Sequence, residues 1–204
     1  MKEKKKLVRL VMCALFAALI VVMTFTPYLG YITVGVIEIT TIHIAVIFGA
    51  CVLGPKHGAI LGAVWGATCI MRAFQFGIIP FQNPLVSLLP RLIVGLVAGL
   101  VFLLLSKTKC KKPISLGLSA LAGTVTNTVL VLSSLQLFGG FTTLFGESAK
   151  ALDVIIGTLI STNGLIELVS AIIVVPTLYM ATEKYFKTKM DFNSTVKGSA
   201  LEGF

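Results

Sequence analysis

Apolar runs dominate the chain and are broken at intervals by short polar or Gly/Pro-bearing segments. The first run, about 7–26, follows a basic start at Lys2, Lys4, Lys5, Lys6 and Arg9 and meets the need for about 20 residues per membrane span. It looks superficially like a secretion signal, but no small-residue cleavage pattern follows, so it is read as a retained helix. The next segment, 28–41, is rich in Tyr, Gly, Thr and β-branched residues, and Ile37, Ile39 and Thr41 alternate with Glu38 and Thr40. Period two predicts extended structure there. A short helix is predicted over 42–53, ended by the breaker Gly54-Pro55-Lys56-His57-Gly58, and a third helix over 59–76.

Beyond a loop with Pro80, Asn83 and Pro84, helices are predicted over 85–105 and 114–135, separated by a lysine-rich turn. The last apolar region, 151–181, is too long for one upright span of about 20 residues, and Asn163-Gly164 breaks it. It divides into a surface helix over 147–161 and a final span over 163–182. The expected fold is an all-α membrane protein of six transmembrane helices, with an extended extracellular lid after the first. Residues 1–182 form one domain and 183–204 a cytoplasmic tail.

Composition supports this picture: 56% of the 204 residues are apolar and 12% charged, against about 25% charged in soluble domains. A separate soluble catalytic domain is excluded. No Gly-x-x-x-x-Gly-Lys-Ser/Thr loop occurs, so the energy for any energised work would come from elsewhere. The net charge of +9 reports orientation in the bilayer rather than nucleic-acid binding. Apart from Arg72, Arg91 and Lys150, every Lys and Arg falls in the amino end, the turn at 54–58, the turn at 106–113 or the carboxyl end. Both termini are therefore expected on the cytoplasmic side of a bacterial cell membrane. Cys13, Cys51, Cys69 and Cys110 form no C-x-x-C pair and read as packing residues. No cofactor or metal site is expected.

Ionisable and polar groups inside spans are costly and functional by default. Arg91 lies about two turns into the helix over 85–105, toward the outer side. Its planar fork suits a carboxylate; otherwise Glu38, Glu147, Asp153 or Glu167 pairs with it structurally. Asn163 and Glu167 share a helix face, and Thr124, Asn127, Thr128 and Val131 form a stripe on another. These outline an outward-open polar pocket, unless they serve only as interhelical hydrogen bonds. Glu38, Thr40 and Thr41, with Tyr28 and Tyr31, would lie over it. His43 is a pocket hydrogen-bonder or a helix-start residue, and it cannot share a metal with His57 at the opposite end. Arg72 and Gln75 belong to the rim or to an interfacial anchor. The spacings Ala14-x-x-x-Ala18, Gly58-x-x-x-Gly62-x-x-x-Gly66 and Gly95-x-x-x-Gly99 mark close helix contacts, within the chain or with a partner.

The length, the six predicted helices and Ala14-Leu15-Phe16-Ala17-Ala18 resemble the substrate-binding S component of energy-coupling-factor (ECF) vitamin transporters. Within that family, Thr41-Ile42-His43-Ile44-Ala45, Leu53-Gly54-Pro55-Lys56-His57-Gly58, Leu89-Pro90-Arg91, Thr126-Asn127-Thr128 and Asn163-Gly164-Leu165-Ile166-Glu167 look most like the pantothenate-type branch. The resemblance implies high-affinity vitamin binding from outside, with Ala14 and Ala18 docking on a transmembrane coupling subunit and two cytoplasmic ATPases supplying energy. It implies substrate contacts at Arg91, Asn127, Asn163, Glu167, Thr124, His43, Glu38 and Thr41. The alternatives are an S component for another vitamin, such as folate or riboflavin, and a stand-alone secondary transporter, although no internal repeat supports the latter. Neither a nucleophile elbow nor a metalloprotease motif supports an intramembrane enzyme.

Overall fold

The computed structural model describes the backbone of residues 2–34, 37–108, 110–138 and 162–190, and the side chains of 6–32, 40–108, 110–138 and 164–183. The elements in chain order are α1 (Lys2–Phe25), β1 (Tyr31–Val34), β2 (Ile37–Thr40), α2 (Ile42–Leu53), α3 (Pro55–Phe76), α4 (Ile79–Gln82), α5 (Pro84–Ser106), α6 (Lys112–Leu137) and α7 (Thr162–Met190). Five stretches among the described residues are long and apolar enough to cross a membrane: Lys6–Phe25, Pro55–Phe76, Pro84–Ser106, Lys112–Leu137 and Gly164–Glu183.

Helix α2 is different. Its 12 residues rise only about 18 Å, short of the about 30 Å hydrocarbon thickness. All but Ile44 are buried, because α2 is the axis of the bundle and packs against α1, α3, α5, α6 and α7. An apolar helix surrounded by others needs no polar face. Ile42, Val46, Ile47, Val52 and Leu53 join Phe16, Leu61, Trp65, Val94, Leu116 and Tyr179 in the main core. Phe16 meets Phe48 edge-on, with ring centroids 5.5 Å apart.

The segment after α1 is indeed extended. It forms an antiparallel hairpin that pairs Tyr31 with Thr40 and Val34 with Ile37. Thr41 closes its base: the backbone N–H donates to the Gly30 carbonyl at 2.9 Å, and the hydroxyl to the Leu29 carbonyl.

Three expectations need correction. The segment 54–58 is not a loop: Gly54 alone turns the chain, at φ 95°, and Pro55 opens α3 four residues earlier than predicted, its missing N–H costing nothing in the first turn. The loop after α3 contains the short α4. The final helix runs through to Met190, past the predicted end at 182. The surface helix predicted over 147–161 lies outside the described residues.

The closest helix pair is α3 with α5, and glycine is the reason. A Cβ on Gly58 would meet the Gly95 carbonyl, one on Gly62 the Arg91 carbonyl, one on Gly66 the Leu88 Cα at 2.6 Å, and one on Gly99 the Pro55 Cα at 2.6 Å. Small residues at four-residue spacing let two backbones touch. This seam fixes the depth and rotation of Arg91.

Candidate polar site at the hairpin end

Asn83 caps α5 by accepting the Leu85 N–H at 3.0 Å, and Pro84 starts the helix. Two turns in, Arg91 is buried, with 7% exposure. Its Nη1 donates to the Val86 carbonyl at 2.9 Å. The guanidinium carbon lies 5.4 Å from the Trp65 ring centroid and 5.6 Å from that of Phe81. Among the described residues Arg91 forms no ion pair, and its Nε has no hydrogen-bond partner. Cations over aromatic faces are attracted to the ring quadrupole, but a buried guanidinium is normally matched by an anion.

Helix periodicity places the other members. Gly123 on α6 faces Ile47 of α2 and Ala98 of α5, since a Cβ there would lie 2.8 Å from the Ile47 Cδ1 and 3.4 Å from the Ala98 Cβ. One turn toward the hairpin from that level stand His43 on α2 and Asn127 on α6, and two turns from Ala98 stands Arg91. Thr124 adjoins Gly123. The contact of Gly123, Ile47 and Ala98 is thus the floor beneath a polar layer drawn from three helices.

That layer is unsatisfied. Among the described residues, the buried side-chain nitrogen and oxygen atoms without a hydrogen-bond partner are His43 Nδ1 and Nε2, Arg91 Nε, Thr124 Oγ1 and Asn127 Oδ1. Each unmet buried group costs about 1–3 kcal/mol, so native structures hold few of them. Here they fall on four residues spread over about two helical turns toward the hairpin end of the bundle. Such a set fits a ligand that brings both an anion and neutral hydrogen-bonding groups.

The hairpin is fastened over this end at two points. Tyr31 sits with its hydroxyl 3.0 Å from Cys69 Sγ and accepts the Trp65 indole N–H at 3.4 Å. The Arg72 guanidinium lies 3.9 Å above its ring, which places this rim arginine on the hairpin. Burial pushes the Tyr31 phenol up, the neighbouring Cys69 adds to the shift, and Arg91 opposes it, so the hydroxyl stays protonated at neutral pH. On the other strand, the Thr40 N–H donates to Glu167 Oε1.

Of the residues singled out from sequence, Arg91, His43, Thr124 and Asn127 are the ones that carry unpaired buried atoms. Glu167 reaches the site's edge, but its carboxylate holds β2. The Thr41 hydroxyl, predicted to contact substrate, is occupied at the hairpin base, and Thr128 bonds back to the Thr124 carbonyl at 3.3 Å. Asn163 is in the first turn of α7 and Glu38 pairs with Thr33 in the hairpin; their side chains lie outside the described residues. Sequence reasoning missed Trp65 and Phe81 as neighbours of Arg91. Trp65 lies between Gly62 and Gly66, so the glycine seam that delivers Arg91 also delivers the indole beside it. Cys13, Cys51 and Cys69 are buried free thiols, and no group of three or more His, Cys, Asp or Glu that could hold a metal occurs among the described residues.

The family described as ECF transporter, substrate-specific component, matches residues 8–179. The pantothenic acid transporter PanT of Lactococcus lactis subsp. cremoris is 31% identical over 202 residues, covering 90% of this chain and 97% of that protein. The pantothenate transporter PanT of Leuconostoc mesenteroides subsp. mesenteroides is 32% identical over 181 residues, covering 81% and 87%. Among solved structures, the S-component for biotin from an ECF-type ABC transporter superposes with a TM-score of 0.61 at 18% identity, covering 87% of this chain and 94% of that one. That likeness concerns the fold.

Proposed function

The chain belongs to the family of ECF transporter substrate-specific components, and on that premise we propose that its ligand is pantothenate. The observation that carries the proposal is the buried Arg91, without an ion pair among the described residues, together with the unpaired atoms of His43, Thr124 and Asn127. Pantothenate offers a carboxylate for the guanidinium and an amide and two hydroxyls for the neutral groups. Its apolar carbons suit Trp65 and Phe81. Two relatives named for pantothenate transport support the same choice. Asn163 and Glu38, at the hairpin end, are proposed as contacts at the mouth of the site, and Glu167 as the group that holds the hairpin against it. The hairpin acts as the lid.

In this reading α2 is the short sixth crossing, its outer end completed by the hairpin. The lysine-rich ends and both termini face the cytoplasm. Ala14 and Ala18 are exposed on α1, where the stripe docks on a transmembrane coupling subunit that is driven by two ATPase subunits.

The test is calorimetric titration of the purified chain with pantothenate, folate, biotin, riboflavin and thiamine. Tight one-to-one binding of pantothenate is expected. Tight binding of another vitamin would keep the family and replace the substrate, and a folded sample that binds none would reopen the stand-alone transporter reading.

A further inference from the structure

Pro90 stands inside α5, immediately before Arg91. Proline has no N–H, so the carbonyl four residues earlier loses its helical donor. That carbonyl belongs to Val86, and it is the group that accepts Arg91 Nη1 at 2.9 Å. The acceptor freed by the proline and the donor on the next residue therefore meet. Long side chains in a helix lean toward its N-terminus, which brings the guanidinium back over this turn.

We propose that Pro90 is the positioning residue of the anion site: by withholding its N–H it leaves Val86 as an anchor that fixes which edge of Arg91 meets the ligand. A guanidinium presents two parallel donors, Nε–H and the Nη2–H beside it, as a two-toothed edge for a carboxylate. The anchor uses Nη1, on the other side. Nε is left unpaired, and no described residue is bonded to the Nε–Nη2 edge. The Trp65 and Phe81 rings lie 5.4 and 5.6 Å from the guanidinium carbon, and the Arg91 backbone is set by its contact with Gly62. Three independent restraints hold the group with its bidentate edge open.

The inference rests on the reading of Arg91 as the carboxylate contact, so the experiment separates the two. The first measurement is the 15N spectrum of the guanidinium groups in the full-length protein without ligand, with Arg91 assigned through Arg91→Lys. A tethered Nη1 gives distinct Nη1 and Nη2 signals. In Pro90→Ala the new N–H competes for Val86 and the two signals merge. The second is calorimetry on Pro90→Ala with pantothenate and with its alcohol analogue, in which CH2OH replaces the carboxylate. The pantothenate affinity is expected to fall about tenfold, in the range for a weakened charged hydrogen bond, while the alcohol keeps its wild-type affinity. Unchanged guanidinium signals, unchanged pantothenate affinity, or an equal loss for acid and alcohol would each overturn the positioning role. Signals that merge in Pro90→Ala, together with a wild type that does not bind pantothenate, would retain the positioning role and remove the substrate.

Discussion

A valine at position 124 would keep the shape of the threonine and lose its polarity. The Thr124 hydroxyl is buried and unpaired, so without ligand it contributes an unmet desolvation cost of about 1–3 kcal/mol. Thr124→Val is therefore expected to raise the melting temperature of the ligand-free protein and to weaken pantothenate binding by about tenfold. A lower melting temperature would show that the hydroxyl has a structural partner. Arg91→Ala acts differently, since it removes the counter-charge proposed for the ligand and also leaves the Val86 carbonyl without its donor. Calorimetry on that variant should show a loss of more than about tenfold. Undiminished affinity would take Arg91 out of the site. The identities of these residues were readable from the sequence because a charge or an amide within an apolar run stands out. That Thr41 is occupied at the hairpin base was not, since a threonine in a candidate lid has the same letter whichever way its hydroxyl turns.

At the scale of elements, the ends of α2, α5 and α6 followed from the apolar runs to within two residues, whereas α3 begins at Pro55, inside the segment read as a breaker, and the alternation at 37–41 announced extended structure. What the pattern did not specify is which helices touch. The glycine spacings said that some pair would approach closely, and the structure assigns that pair to α3 and α5. Gly62 is the position where this contact meets the site. A Cβ there would run into the Arg91 carbonyl, and because that atom is backbone the two helices must separate or rotate. Gly62→Ala should therefore destabilise by about 1–3 kcal/mol, the usual cost of overpacking, and should also weaken pantothenate binding by moving Arg91. Gly117→Ala is the control: its new Cβ meets the Ile172 Cγ2 at an ordinary 3.7 Å, and alanine favours the helix by about 1 kcal/mol. Thermal unfolding with and without pantothenate reads both effects. Equal behaviour of the two variants would show that the α3–α5 seam does not position the site.

The molecule as a whole presents an asymmetry that the ligand site does not explain. On α1 one face, with Cys13, Phe16 and Ile20, is buried in the core, while Leu7, Leu10 and Leu15 are 60% exposed or more, with Ala14 and Ala18 among the exposed positions. In a bilayer such a face can meet lipid without cost, so exposure by itself does not distinguish lipid from a protein neighbour. The small residues make the difference, because a shallow track between bulky side chains offers lipid tails nothing special but admits another helix closely. Enlarging the track should therefore affect assembly alone. Ala14→Trp is expected to leave folding and pantothenate affinity unchanged in the purified chain and to abolish pantothenate uptake in cells that supply the coupling and ATPase subunits. Ile173→Trp, at a 59% exposed apolar position of α7, adds the same bulk to a face with no assigned partner and should leave uptake intact. If both variants transport normally, α1 meets only lipid. If Ala14→Trp loses binding while still folded, the stripe is coupled to the site through Phe16 and Phe48 in the core, and docking is not its only role.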